Sequence, residues 1–182
     1  MESRKRALAV LALTLVCGSL ALGQAAQNPD QVRIQREVRH ELWMLPWLSV
    51  FDNLEYRVDG SSVTLMGQVT DPANKSDAEK VVKNIEGVQH VDNQIEVLPP
   101  MPMDQQLRVR LFRAIYGYAT LQKYDMGVQK PIRIIVKGGH VTLEGVVDSQ
   151  ADKDTAGIRA NSVPGIFSVT NNLQVVSGAG GV

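Results

Sequence analysis

The sequence predicts an α+β fold made of two small α/β-sandwich repeats, each ordered helix-strand-strand-helix-strand. Three observations predict it. Sliding the chain by 78 residues aligns VDGSSVTLMGQV (58–69) with VKGGHVTLEGVV (136–147) without a gap. The same offset aligns GVQHVDNQIEV (87–97) with GIFSVTNNLQV (165–175), and over 54–97 it keeps 14 of 44 residues identical. Within each copy the apolar spacing switches between the two-residue period of strands and the three-to-four-residue period of helices.

The first helix of copy one is marked by Ile34, Val38 and Leu42, and that of copy two by Leu107, Leu111 and Ile115. The offset here is 73, so copy two carries five extra residues before its hairpin. Leu54, Tyr56 and Val58 alternate, as do Ile132, Ile134 and Val136, which gives the first strand. Gly60 or Gly138 turns the chain into a second strand carrying Val63, Leu65 and Val69, or Val141, Leu143 and Val147. Gly67 and Gly145 lie inside that strand, where glycine marks a bulge or a close backbone approach. A second helix follows, with Ala78, Val82 and Ile85 or Ala156, Ala160 and Val163 inward, and with Asp71 or Ser149 placed to cap it. Gly87 and Gly165 suit the position just past its end, where positive φ is needed. Val91, Ile95 and Val97, or Val169, Leu173 and Val175, form the third strand. The repeats span 30–98 and 104–176, joined by a proline-rich linker at 99–103 and followed by a flexible tail at 177–182.

The chain opens with Arg4, Lys5 and Arg6, then a charge-free apolar run from Ala7 to Leu22 and small residues at Gly23, Ala25 and Ala26. This is the pattern of a signal peptide, 1–26, with cleavage after Gly23 or Ala26. As a helix the run would reach only about 24 Å, short of a bilayer core. Cys17 is the single cysteine and is removed with this segment; Val16 before it is too bulky for a lipoprotein signal. The mature chain then has no disulfide and no thiol chemistry. It retains 16 basic against 18 acidic residues. Export and that balance disfavour nucleic acid as a partner.

The motifs V-x-G-x-x-V-T-L-x-G-x-V and G-V/I-x-x-V-x-N-x-I/L-x-V, present in both copies, resemble the BON family, named for bacterial osmotic-shock and nodulation proteins. The resemblance implies a periplasmic, non-enzymatic protein of the cell envelope whose domains attach to phospholipid membranes, in envelope maintenance or osmotic stress. Copy one departs from the plain pattern in LPWLSVFDN, and copy two in YGYATLQKYDMGVQK.

Helical angles sharpen the search for a contact surface. On the first helix of copy one, Trp43 falls with Arg36, Arg39 and His40 on the face opposite the apolar stripe. Trp47 follows Pro46 in an apolar loop and reads as a cover for the core. On the matched helix of copy two, Val109, Phe112 and Tyr116 lie opposite the stripe, with Arg110 and Arg113 beside them and Arg108 near the stripe itself. A helix that is apolar on two sides needs a second cover: the other repeat, another subunit, or a lipid interface. The candidate contact for anionic phospholipid is therefore the first helix of copy two, through Arg108, Arg110, Phe112, Arg113 and Tyr116, with Trp43 of copy one a further candidate whose reading leans to packing. The alternative is a structural or chaperone-like protein binding envelope proteins through the same face. His40, His90 and His140 sit on different elements without metal-ligand spacing, and no Walker A or G-x-S-x-G motif is present. The sequence thus implies no metal, cofactor or catalytic set. Asp148, Asp152 and Asp154 read as helix-start carboxylates.

Overall fold

A computed structural model describes residues 29–127 and 130–176. The signal-peptide and tail expectations lie outside these residues. The first repeat contains α1 (Pro29–Trp43), β1 (Asn53–Asp59), β2 (Ser62–Val69), α2 (Pro72–Lys83), β3 (His90–Asn93) and β4 (Glu96–Val97). The second contains α3 (Pro102–Tyr116), a 3₁₀ turn (Gln122–Asp125), β5 (Ile132–Lys137), β6 (His140–Val147), α4 (Gln150–Asn161), β7 (Ser168–Asn171) and β8 (Gln174–Val175). The proline-rich spacer is therefore shorter than its sequence suggests, because Pro102 occupies the first turn of α3, where its missing N–H costs nothing.

Each sheet has the same topology. The hairpin β1–β2 is antiparallel, with Val58 opposite Val63, and β3 and β4 pair parallel to the far edge of β2. In the second repeat β5–β6 repeats that register, with Val136 opposite Val141, and β7 and β8 pair parallel to β6. Alternation buries Val63, Leu65 and Val69 under α1 and α2, and Val141, Leu143 and Val147 under α3 and α4. The apolar stripes behave as their spacing requires: Ile34, Val38, Leu42 and Leu45, and Leu107, Leu111 and Ile115, are all buried.

Two boundaries differ from the sequence reading. The third strand is broken in both copies because an asparagine interrupts it. Asn93 accepts from the Ile95 N–H and donates to the carbonyl of Lys75 in α2; Asn171 accepts from Leu173 N–H and donates to Lys153. The conserved spacing of these two residues between copies thus serves to tie strand to helix. The second helices also end early, at caps Asn84 and Ser162, and Gly87 and Gly165 close a further turn beyond. All six expected glycines have positive φ. Asp71 and Ser149 cap as expected, accepting from the amides of Ala73 and Asp152.

The repeats are joined by more than the linker. Val50 and Phe51, from the LPWLSVFDN loop of the first repeat, pack against the second core. The Val50 carbonyl accepts from Ile134 N–H at 2.9 Å and the Ser49 carbonyl from Arg133 Nη1 at 2.9 Å. The outer edge of β5 is thereby partly covered, with the Ile134 N–H paired across the repeats. An ion pair between Glu96 and Lys137 links β4 to β5.

Candidate functional site

The surface at the end of α1 carries an exposed apolar–basic patch. The helix stripe ends at Leu42, and Leu45 turns inward after it. Trp43, Met44 and Trp47 are left 56%, 64% and 70% exposed. Trp47 is thus not a core cover, contrary to its sequence reading. Its backbone is held, since its carbonyl accepts from Asn74 Nδ2, while its indole points away from the core. Arg36, Arg39 and His40 share a shallow groove with Trp43 on the polar side of the helix.

The candidate set on α3 fares differently. Arg110 and Arg113 are exposed, as is Val109, and Phe112 is half-buried. Tyr116 is buried; its hydroxyl donates to the Ile132 carbonyl at 2.7 Å and accepts from the Ile132 N–H. Burial pushes its phenol well up, so it stays neutral. Arg108 is buried too, with Nη2 donating to the Val136 carbonyl at 2.8 Å and Nε without a partner. Neither can touch a membrane or a partner from these positions.

The copy-two insertion covers the Tyr116 end of the second face of α3, while Val109 further along that face stays exposed. Residues 117–127 fold back over the helix, burying Leu121 and Tyr124 in the same core as Tyr116. The Lys130 ammonium stands 6.0 Å from the Phe112 ring centroid and 5.8 Å from that of Tyr116, within cation–π range. Helical angles cannot detect this, because they place residues around an axis without knowing what chain returns to it.

The insertion is anchored by Asp152, whose Oδ2 accepts from Lys123 Nζ, the Tyr124 hydroxyl and the Ser149 hydroxyl at 2.8–2.9 Å. Asp152 is thus a buried acceptor rather than only a helix-start charge. Burial raises its pKa, but the bonds from Lys123, Ser149 and Tyr124 outweigh that and hold it below the usual carboxylate range. A depressed folded pKa contributes stability above the ordinary value of about 4 and loses it as pH falls through the folded value. Asp152→Asn should therefore lower the urea midpoint at neutral pH and flatten its decline in acid. Removing a charged acceptor of three bonds should cost about 2–3 kcal/mol.

A cleft of about 360 Å³ opens between the repeats, bordered by α1 and β1 on one side and by Lys130, Pro131, Arg133, Gly145 and Val146 on the other. Its wall is mainly apolar, with Trp43, Leu48 and Leu54 from the first repeat. Arg39, Lys130 and Arg133 contribute cationic groups, and Asp52 is the one acid lining it. Burial lowers the Arg133 pKa from its ordinary value. Asp52 and Arg133 carried no sequence signal as site residues, since Asp52 gains its role from bonds to Ser49 and Thr70 in the folded loop and Arg133 from its contact with the other repeat.

Among the described residues no group of three or more His, Cys, Asp or Glu side chains could hold a metal ion, and no helix is long and apolar enough to cross a membrane. The fold defines a duplicated α+β protein built from two tandem repeats. The BON domain model matches residues 30–99 and 120–177, and the chain belongs to the BON family. The second match begins after α3, later than the repeat boundary read from the sequence. The chain is 30% identical over 133 residues to osmotically-inducible protein Y of Escherichia coli K12, an alignment covering 67% of this chain and 61% of that relative. The solved structure of CdsD, a structural protein of the type III secretion system of Chlamydia trachomatis, aligns over 80% of this chain and 94% of its own, at 11% identity and a TM-score of 0.31. The CdsD C-terminal domain aligns over 81% and 99%, at 13% identity and a TM-score of 0.30.

Proposed function

We propose that this protein is a non-enzymatic module of the cell envelope that attaches reversibly to anionic phospholipid surfaces, through the end of α1. The observation that carries this reading is the exposure of Trp43, Met44 and Trp47 beside Arg36, Arg39 and His40. Indole rings suit the headgroup depth of a bilayer, and arginines there meet lipid phosphates. Each arginine near an anionic surface adds about 1 kcal/mol. Two of them with three apolar side chains give a weak, salt-sensitive attachment. Arg110, Arg113 and Phe112 on α3 form the secondary contact. The N-terminal export pattern supports an envelope location, and the similarity to a relative named for osmotic induction supports a role in osmotic stress.

Co-sedimentation with phosphatidylglycerol-containing and pure phosphatidylcholine vesicles tests this. Binding should require the anionic lipid, weaken with salt, and fall roughly tenfold in affinity in Trp43→Ala/Trp47→Ala. Unchanged binding of that variant, with loss in Arg110→Glu/Arg113→Glu, would move the contact to α3. No vesicle binding under any condition, with a concentration-dependent mass in solution, would replace the lipid reading by a protein interface.

A further inference from the structure

We infer that the cleft between the repeats binds the single acyl chain of an anionic amphiphile, such as a fatty acid or a lysophospholipid. This goes beyond membrane attachment, because it concerns one monomeric ligand held inside the protein rather than a surface beneath it.

Three observations converge. The first is size: about 360 Å³ lies at the low end of the roughly 300–1,000 Å³ of small-molecule sites, enough for one chain and too little for a two-chain lipid. The second is the lining, in which Trp43, Leu54 and Val146 present apolar surface from both repeats. Val146 is 44% exposed although it lies on a central strand, so that apolar surface faces the cleft without belonging to the core.

The third is charge. Arg39, Lys130 and Arg133 border the cleft against the single carboxylate of Asp52. That carboxylate is already saturated. Oδ1 accepts from the Thr70 N–H and hydroxyl, and Oδ2 from the Ser49 N–H and hydroxyl. The Lys130 ammonium is already balanced by Asp125 and stands over the Phe112 and Tyr116 rings, so the cationic border is set by Arg39 and by Arg133, whose Nη1 is held by the Ser49 carbonyl. An apolar slot with cations at its border matches a ligand with an anionic head and one hydrocarbon tail. A carboxylate or phosphate head meets the same groups, and the chemistry shared by the two sources is one acyl chain with one negative headgroup.

Trp43 lines the cleft and Trp47 does not, which provides a reporter. In Trp47→Phe the remaining indole is Trp43. Titration with dodecanoate, and separately with lysophosphatidylglycerol, both kept below their micelle concentrations, should give a saturable change in its emission. Dodecanol should bind roughly tenfold more weakly, and acetate and inorganic phosphate should give no change. Adding Val146→Glu places a repelling charge at a half-exposed position and should abolish the response, with the circular dichroism spectrum unchanged. Whichever amphiphile saturates at the lower concentration identifies the source of the headgroup. Absence of a saturable response to either amphiphile, or an equal response in the Val146→Glu variant, overturns the inference. The assay contains no vesicles, so failure of membrane attachment leaves it standing, and its own failure leaves attachment untouched.

Discussion

Gly145→Ala is expected to unfold the second repeat well before the first. A Cβ built at Gly145 would stand 1.9 Å from the Pro131 carbonyl oxygen, and the residue sits at φ +114°, where an L side chain is strained. The obstacle is backbone, so no rotamer change relieves it. The hairpin β5–β6 must open at its base, where Ile132 faces Gly145 in the register. Ile132 also holds the Tyr116 hydroxyl through both its N–H and its carbonyl, so opening there releases the insertion as well. The expected cost is about 3–4 kcal/mol. Urea unfolding followed by circular dichroism should show a separated early transition. Gly138→Ala is the control: it has positive φ but nothing within 4 Å of its Cβ, so it should cost only about 1–2 kcal/mol. Equal effects of the two substitutions would show that backbone conformation, not the close approach, decides the cost. The matching position in the first repeat is Gly67, whose Cβ would lie 2.1 Å from the Asn53 carbonyl.

Asp52→Ala should be nearly as damaging, by a different route. Asp52 is 2% exposed and accepts four hydrogen bonds, two from Ser49 and two from Thr70, at 2.6–2.8 Å. These bonds shape the loop that carries Val50 and Phe51 into the second core. Losing a buried charged acceptor leaves backbone donors unsatisfied, at a cost of about 3 kcal/mol or more. Asp52→Asn rescues at most half, because its amide group would face donors on one side. The distinguishing readout is hydrogen exchange at the Ile134 amide, which bonds to Val50 across the repeats. Its exchange should accelerate in Asp52→Ala while amides inside β2 change less. A slow Ile134 amide in the variant would mean that the loop docks without Asp52.

Much of this fold was legible in the chain. The duplication, strand alternation, helix stripes, caps and six glycines are local or periodic features, and most elements obey them, although Ile135 in β5 is buried out of alternation. The broken third strand was not legible. Asn93 and Asn171 stood out by their repetition, yet their role depends on carbonyls of Lys75 and Lys153, 18 residues earlier.

The candidate surface divides in the same way. Helix geometry placed Trp43, Arg110 and Arg113 on outward faces, and they are exposed. It also placed Tyr116 outward, where the returning insertion buries it, and it left Arg108 at the border of the stripe, where burial decides against contact. An apolar loop suggests an inward Trp47, but Leu45 is the loop residue that joins the first core and the Trp47 side chain is exposed. The sequence by itself determined the repeat, the order of its elements and the core that each copy builds, because these follow from spacing along the chain. Only the tertiary structure decided which part of the second face is covered, how a loop of one repeat docks against the edge of the other, and that a cleft opens between them. Those outcomes are contacts between segments far apart in sequence, and no local period encodes them.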